Sequence, residues 1–299
     1  GNTEALVYLR SAAKPFIAAA AVRAGVVARY GLDQRELSVM CGSHAGEPFH
    51  IEAVRSILRR IGLDESALQC GADLPYNLEA RAALEAAGTE PAPIYHNCSG
   101  KHAGILALCT LLGADPATYM EPANPAQRYI LDFCARLSDE RAADLPLGID
   151  GCGIPAYATT LRSVALAYMR FATLDGVDEE TAAALRIVRD AMLAFPEYMS
   201  GTGEFDASLI RAGGRDLVCK GGAEGIHATA LIERGAALVI KVIDGNERAR
   251  PPAAIEGLSA IGSLSQAQRS TLRRFVHATV RNRTGRDVGE IRALERLSK

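Results

Sequence analysis

Lysine is scarce in this chain. Only five of its 33 basic residues are lysine, at positions 14, 101, 220, 241 and 299, and arginine supplies the rest. Arginine stays charged, whereas lysine can lose its proton when desolvated and then act as a base or metal ligand. Each of the four internal lysines stands beside Gly, Ser, Cys or Pro, or within an apolar run. Net charge of either sign is missing too. The formal value of −2 gives no electrostatic reason to expect nucleic acid or an anionic membrane as partner. No apolar run approaches the roughly 20 residues that span a bilayer, and the opening residues do not read as a signal peptide. There is no CxxC pair, which argues against a structural zinc ribbon. The seven cysteines, an odd number without tight spacing, point to free thiols in a reducing, cytoplasmic setting.

What is present is a large core. At 299 residues and 48% hydrophobic, with no linker composition and no repeat, the chain reads as one domain over 1–299. Ser11–Tyr30 reads as a helix with Pro15 in its first turn, and Glu36–Cys41 as a short strand feeding the loop Gly42–Pro48. Helices are expected at Phe49–Ile61, Leu78–Ala87, Lys101–Leu112, Pro125–Leu137, Ala156–Ala172 and Glu179–Phe195. Strands are expected at Asp216–Lys220, Ile226–Glu233 and Ala236–Asp244, the last two a hairpin across Arg234-Gly235. Helices close the chain at Ala253–Ile261 and Gln266–Val280. Helices layered on a mostly antiparallel sheet make this an α+β fold.

Four constellations can carry chemistry. Ser11-Ala12-Ala13-Lys14 sets a hydroxyl and an amine three residues apart on one helix face. A serine is a poor nucleophile until a base takes its proton, and Lys14 must be neutral to serve, which requires burial or a nearby cation. The plain alternative is Ser11 as an N-cap and Lys14 as a solvated charge. His96-Asn97-Cys98-Ser99-Gly100-Lys101-His102 and Asp150-Gly151-Cys152-Gly153 each put a cysteine beside glycine. Two thiolates and a nitrogen ligand would suit zinc with one open position; buried, inert cysteine is the alternative. Gly42-Ser43-His44, with Glu47 nearby, reads equally as an active-site loop or a capped turn. Met199–Asp206 and Lys220–Gly225 are glycine-rich loops that match neither the Walker pattern nor GxGxxG.

In order along the chain, Arg10–Pro15, Ser43–Pro48, His96–Ala103, Gly148–Pro155, Ser200–Gly203 and Gly222–Gly225 resemble the Rhizobium-type L-asparaginases. The likeness runs from about Val7 to Gly245, and HNCSGKHA is its most specific block. It implies a fold like that of serine β-lactamases and penicillin-binding transpeptidases, with Ser11 as nucleophile and Lys14 as base. It also implies a second pair, Ser43 with Lys241, zinc on Cys98, Lys101 and Cys152 with Asp150 close by, and a homodimer. Family members carry strands ahead of the nucleophile helix, where fewer than a dozen residues precede Ser11 here. The expected reaction is hydrolysis of asparagine through an acyl-enzyme, with Arg10, Asn97 and Asp150 as candidates for holding the small amino-acid substrate. Two rivals remain: a glutaminase or other serine amidohydrolase, and a non-enzymatic metal-binding protein using the same thiols. Lys220-Gly221-Gly222 only approximates the Lys-Thr-Gly of β-lactam chemistry.

Overall fold

A computed structural model describes residues 1–294. Its strands are β1 (Leu6–Tyr8), β2 (Leu147–Ile149), β3 (Pro155–Thr160), β4 (Leu217–Gly222), β5 (Ile226–Leu231), β6 (Ala236–Lys241), β7 (Ala278–Arg281) and β8 (Asp287–Ile291). The helices of the first half are α1 (Lys14–Arg23), α2 (Val26–Tyr30), α3 (Gln34–Met40), α4 (Pro48–Arg60), α5 (Leu78–Ala86), α6 (Ser99–Leu111) and α7 (Pro125–Leu137). Those of the second are α8 (Leu161–Thr173), α9 (Glu179–Ala194), α10 (Pro196–Met199), α11 (Phe205–Gly213), α12 (Arg250–Ala260), α13 (Gln266–Thr271) and α14 (Arg273–Val276). The expected α+β class is found, with small antiparallel sheets set among layered helices. No described helix is long and apolar enough to cross a membrane.

α1 is apolar on every side, and Phe16 and Ala18–Ala21 are fully buried. A helix of that kind can only sit in the middle, and α6, α7 and α9 pack around it. α4 is amphipathic: Ile51, Val54, Ile57 and Leu58 face the core while Arg59 and Arg60 close its last turn. One hydrophobic core runs from Val7 to Leu272. β4 and β5 are buried at every residue. Strands so apolar need cover on both faces; α8 and α12 pack on β5 and β6, and α9 and α11 on β4.

Two three-stranded sheets place the functional segments. In the first, β1 and β2 flank β3, with Tyr8 opposite Ala158 and Ile149 opposite Pro155. The turn after β1 and the loop between β2 and β3 are thereby brought together. A strand does precede Ser11. In the second sheet β5 lies between β4 and β6, with Gly221 opposite His227 and His227 opposite Ile240.

Four sequence expectations need correction. Glu36–Cys41 is helix α3, started by a capping box in which Asp33 accepts from Glu36 N and Glu36 accepts from Asp33 N. That reciprocal pair outweighs the apolar run read as a strand. The helix placed at Ala156–Ala172 begins only at Leu161, because Pro155–Thr160 pairs on both sides as β3 and Thr160 then caps α8. Gln266–Val280 breaks into two short helices and enters β7. The Ser11–Tyr30 helix is interrupted at Gly25, whose φ of +101° leaves the helical region.

Candidate active site

β1 delivers the chain to Arg10, whose φ of 49° is unusual for a residue with a side chain. Arg10–Ala13 is a 3-10 turn running directly into α1. This turn presents Ser11 half-buried, while Lys14, in the first turn of α1, is fully buried. Lys14 Nζ donates to Gly42 O at 2.6 Å, Ser43 Oγ at 2.8 Å and Cys98 Sγ at 3.1 Å. Burial pushes the Lys14 ammonium down to about 8, helped by the Lys101 and Lys220 charges and opposed by the Cys98 thiolate. In this conformation Lys14 therefore touches Ser43, and Ser11 opens on the same cavity.

That cavity is about 370 Å³, and its walls include Ser11, Ser43, Asn97, Lys220 and Arg250. The two glycine-rich segments form one side, the first leading into α11 and the second, expected as a loop, being the end of β4 at Lys220–Gly222; Asp206 joins them. Its Oδ2 accepts from Gly221 N at 2.8 Å and Lys220 Nζ at 3.4 Å, and its Oδ1 from Arg250 at 2.7 Å. Burial alone would raise the Asp206 carboxyl, but Arg250 and Lys220 hold it well below the usual range. Burial keeps neighbouring His227 neutral, pushed down to about 3. β4 runs beside the Ser11 turn so closely that a Cβ on Gly222 would lie 2.9 Å from Leu9 O and 3.0 Å from Ala12 N. Only glycine lets the strand approach there.

The structure does not bring Lys241 to Ser43. Lys241 ends β6 and donates to Glu224 O and Val242 O at 2.7 and 2.6 Å. β5 separates its strand from the Ser11 turn, so the lysine that reaches the cavity from this sheet is Lys220, on β4. Nor are Arg10 and Asp150 in its wall. They are bound to each other, Nε to Oδ1 at 2.7 Å, and Arg10 also pairs with Glu224. Asn97 does line the cavity. Lys220, Asp206 and Arg250 were not singled out from sequence as site residues. Lys220 had a signal in Lys-Gly-Gly, whereas Arg250 stands in no motif.

Behind Lys14 lies a compact thiol–lysine cluster. Cys98 precedes α6, Lys101 follows one turn later, and Cys152 comes from the loop between β2 and β3. Lys101 Nζ donates to Cys152 Sγ at 2.9 Å and stands 3.9 Å from Asp150. A hydrogen bond from the Cys152 thiol, with the Lys14 and Lys101 charges, holds Cys98 well below its ordinary value against burial. Cys152 is pushed up in turn, by its Cys98 neighbour and by burial. Burial pulls Lys101 down, but the Cys98 and Cys152 sulfurs and Asp150 outweigh it and raise its pKa. No cluster of three His, Cys, Asp or Glu among the described residues could hold a metal. Here the third donor beside two sulfurs is a lysine. Two soft sulfurs and a nitrogen, all buried, are a donor set that fits zinc once Lys101 is deprotonated.

A buried lysine of lowered pKa held against a serine, with a second serine on the same cavity, is equipment for acyl transfer. The chain is an amidohydrolase. It belongs to the L-asparaginase II family, whose model matches residues 1–293. No curated protein matches it.

Proposed function

We propose that this chain is a Rhizobium-type L-asparaginase, hydrolysing L-asparagine to L-aspartate and ammonia through an acyl-enzyme on Ser11. The observation that carries this reading is Lys14: fully buried, lowered to about 8, and hydrogen-bonded at the cavity that Ser11 lines. Neutral Lys14 takes the Ser11 proton, directly or across Ser43, as Ser11 attacks the side-chain amide carbon. The proton then passes to the departing ammonia, and water, activated the same way, cleaves the ester. Backbone N–H groups of the Ser11 turn are the candidates for holding the oxyanion. The close run of β4 and its Lys220-Gly221-Gly222 past the Ser11 turn supports kinship with serine β-lactamases and transpeptidases. On this reading Lys220, which lines the cavity with Ser43, takes the part that the resemblance assigned to Lys241.

Zinc would be held by Cys98, Lys101 and Cys152, where a bound ion would supply Lewis-acid or bracing chemistry. Lys14 lies against Cys98 and couples that cluster to the serine pair. The seven cysteines are all buried free thiols, which supports a reducing, cytoplasmic setting. We expect a homodimer.

The 2.8 Å contact between Lys14 and Ser43 favours one second reading, in which Ser43 is the nucleophile. Mass spectrometry of enzyme quenched during asparagine turnover separates the two. Aspartyl ester on the Ser11 peptide, absent from Ser11→Ala and retained by Ser43→Ala, supports the scheme; ester on the Ser43 peptide reverses it. Glutamine differs by one methylene, worth roughly 1–3 kcal/mol of discrimination, so it is the competitor to run in parallel.

A further inference from the structure

Arg250 opens α12 on the wall of the Ser11 cavity, and half of its guanidinium has no partner among the described residues. Nη1 donates to Asp206 at 2.7 Å and lies 3.3 Å from His227 Nδ1. Nε is buried and donates to nothing among the described residues. Nη2 likewise makes no hydrogen bond to a described residue, as the Arg250 contacts all run through Nη1. The group is nevertheless fixed. Its carbon stands 5.4 Å from the Phe205 ring centroid. A Cβ on Gly221 would fall 1.9 Å from Nη1 and 2.4 Å from Cζ, so the bare backbone of β4 makes its seat.

Nε and Nη2 form the side edge of a guanidinium, the fork that takes both oxygens of a carboxylate. This chain uses that edge twice on its surface. Arg141 grips Asp144 through it at 2.6 and 2.8 Å, and Arg211 grips Glu197 at 2.8 and 2.6 Å. In Arg250, a residue of the cavity wall, that edge carries no carboxylate among the described residues. A buried donor without an acceptor is costly and rare, and a ligand carboxylate would satisfy it. The zwitterionic substrate also carries an ammonium group. Glu204, on the same cavity, has no cationic partner within salt-bridge distance among the described residues, and burial raises its pKa.

We propose that Arg250 binds the α-carboxylate of the amino-acid substrate and so confines the enzyme to amides of free α-amino acids. Asp206 and Gly221 position it. This assignment rests on the asparaginase reading and replaces Arg10, which is committed to Asp150 and Glu224.

The test compares L-asparagine with L-asparaginamide, which lacks the α-carboxylate, in the whole enzyme and in Arg250→Met and Gly221→Ala. The native enzyme should prefer asparagine in kcat/KM, and both variants should lose on the order of 100-fold more activity on asparagine than on the amide. Added methylguanidinium should restore asparagine turnover to Arg250→Met, chiefly through KM. Equal losses on the two substrates, or a native enzyme indifferent to the carboxylate, overturns the proposal. Calorimetric binding of L-asparagine to Ser11→Ala, with and without Arg250→Met, reads the contact without turnover. Arg250-dependent binding in an enzyme that releases no ammonia would sink the asparaginase reading and leave Arg250 standing. Turnover with Arg250-independent binding would do the reverse.

Discussion

Replacing Asp206 with alanine should destabilise the protein more than any change at its surface ion pairs. The carboxylate is 5% exposed and accepts from Arg250 at 2.7 Å, Gly221 N at 2.8 Å and Lys220 at 3.4 Å. Removing it leaves two cations without their counterion, and Arg250 cannot shed its charge. Breaking a buried pair in this way costs about 3–5 kcal/mol. Unfolding entropy near 2.1 cal/mol/K per residue amounts to roughly 0.6 kcal/mol/K for a chain of this length, so the melting temperature at pH 7 should fall by about 5–8 °C. The pH dependence has a definite sign. The Asp206 pKa is depressed on folding, so its contribution is fully present above its unfolded value, near 4, and is lost as pH falls through the lower folded value. The gap between native and variant melting temperatures should therefore be constant from pH 5 to 7, on the order of the figure above, and narrow in acid. Scanning calorimetry across that range is the assay. A gap of about 1 °C or less at pH 7, set against this ledger, would refute the view that Asp206 is the keystone of the cavity wall.

Two further outcomes follow from the same geometry. Lys14 is pushed down to about 8, so kcat/KM for asparagine should rise about tenfold per pH unit below that value and level off above it; a profile flat from pH 6 to 9, roughly a unit or two on each side, removes Lys14 as the base. Cys98→Ser should abolish bound zinc measured by elemental analysis, and intact turnover in that variant would assign the metal a bracing role alone.

The sequence carried the α+β class, because amphipathic and apolar helices such as α4, α7 and α9 were read within a residue or two of their ends. It carried less where short elements depend on distant partners. Pro155–Thr160 is a strand only because β1 and β2 pair with it, and nothing in six residues announces that. The scarcity of lysine proved informative: Lys14, Lys101 and Lys220 are all buried. Which lysine approaches the serines was not legible. That depends on which strand of the second sheet borders the Ser11 turn, and strand order is a tertiary property. Arg250 was equally hidden, since its role comes from a glycine on β4 and a carboxylate in the first turn of α11.

The central claim, that Ser11 is the nucleophile of an asparagine-hydrolysing site, is tested most directly by ammonia release. L-Asparagine and L-glutamine should be given in parallel to the native enzyme and to Ser11→Ala. The account predicts turnover of asparagine by the native enzyme and its loss in the variant; near-normal release of ammonia by Ser11→Ala would contradict it.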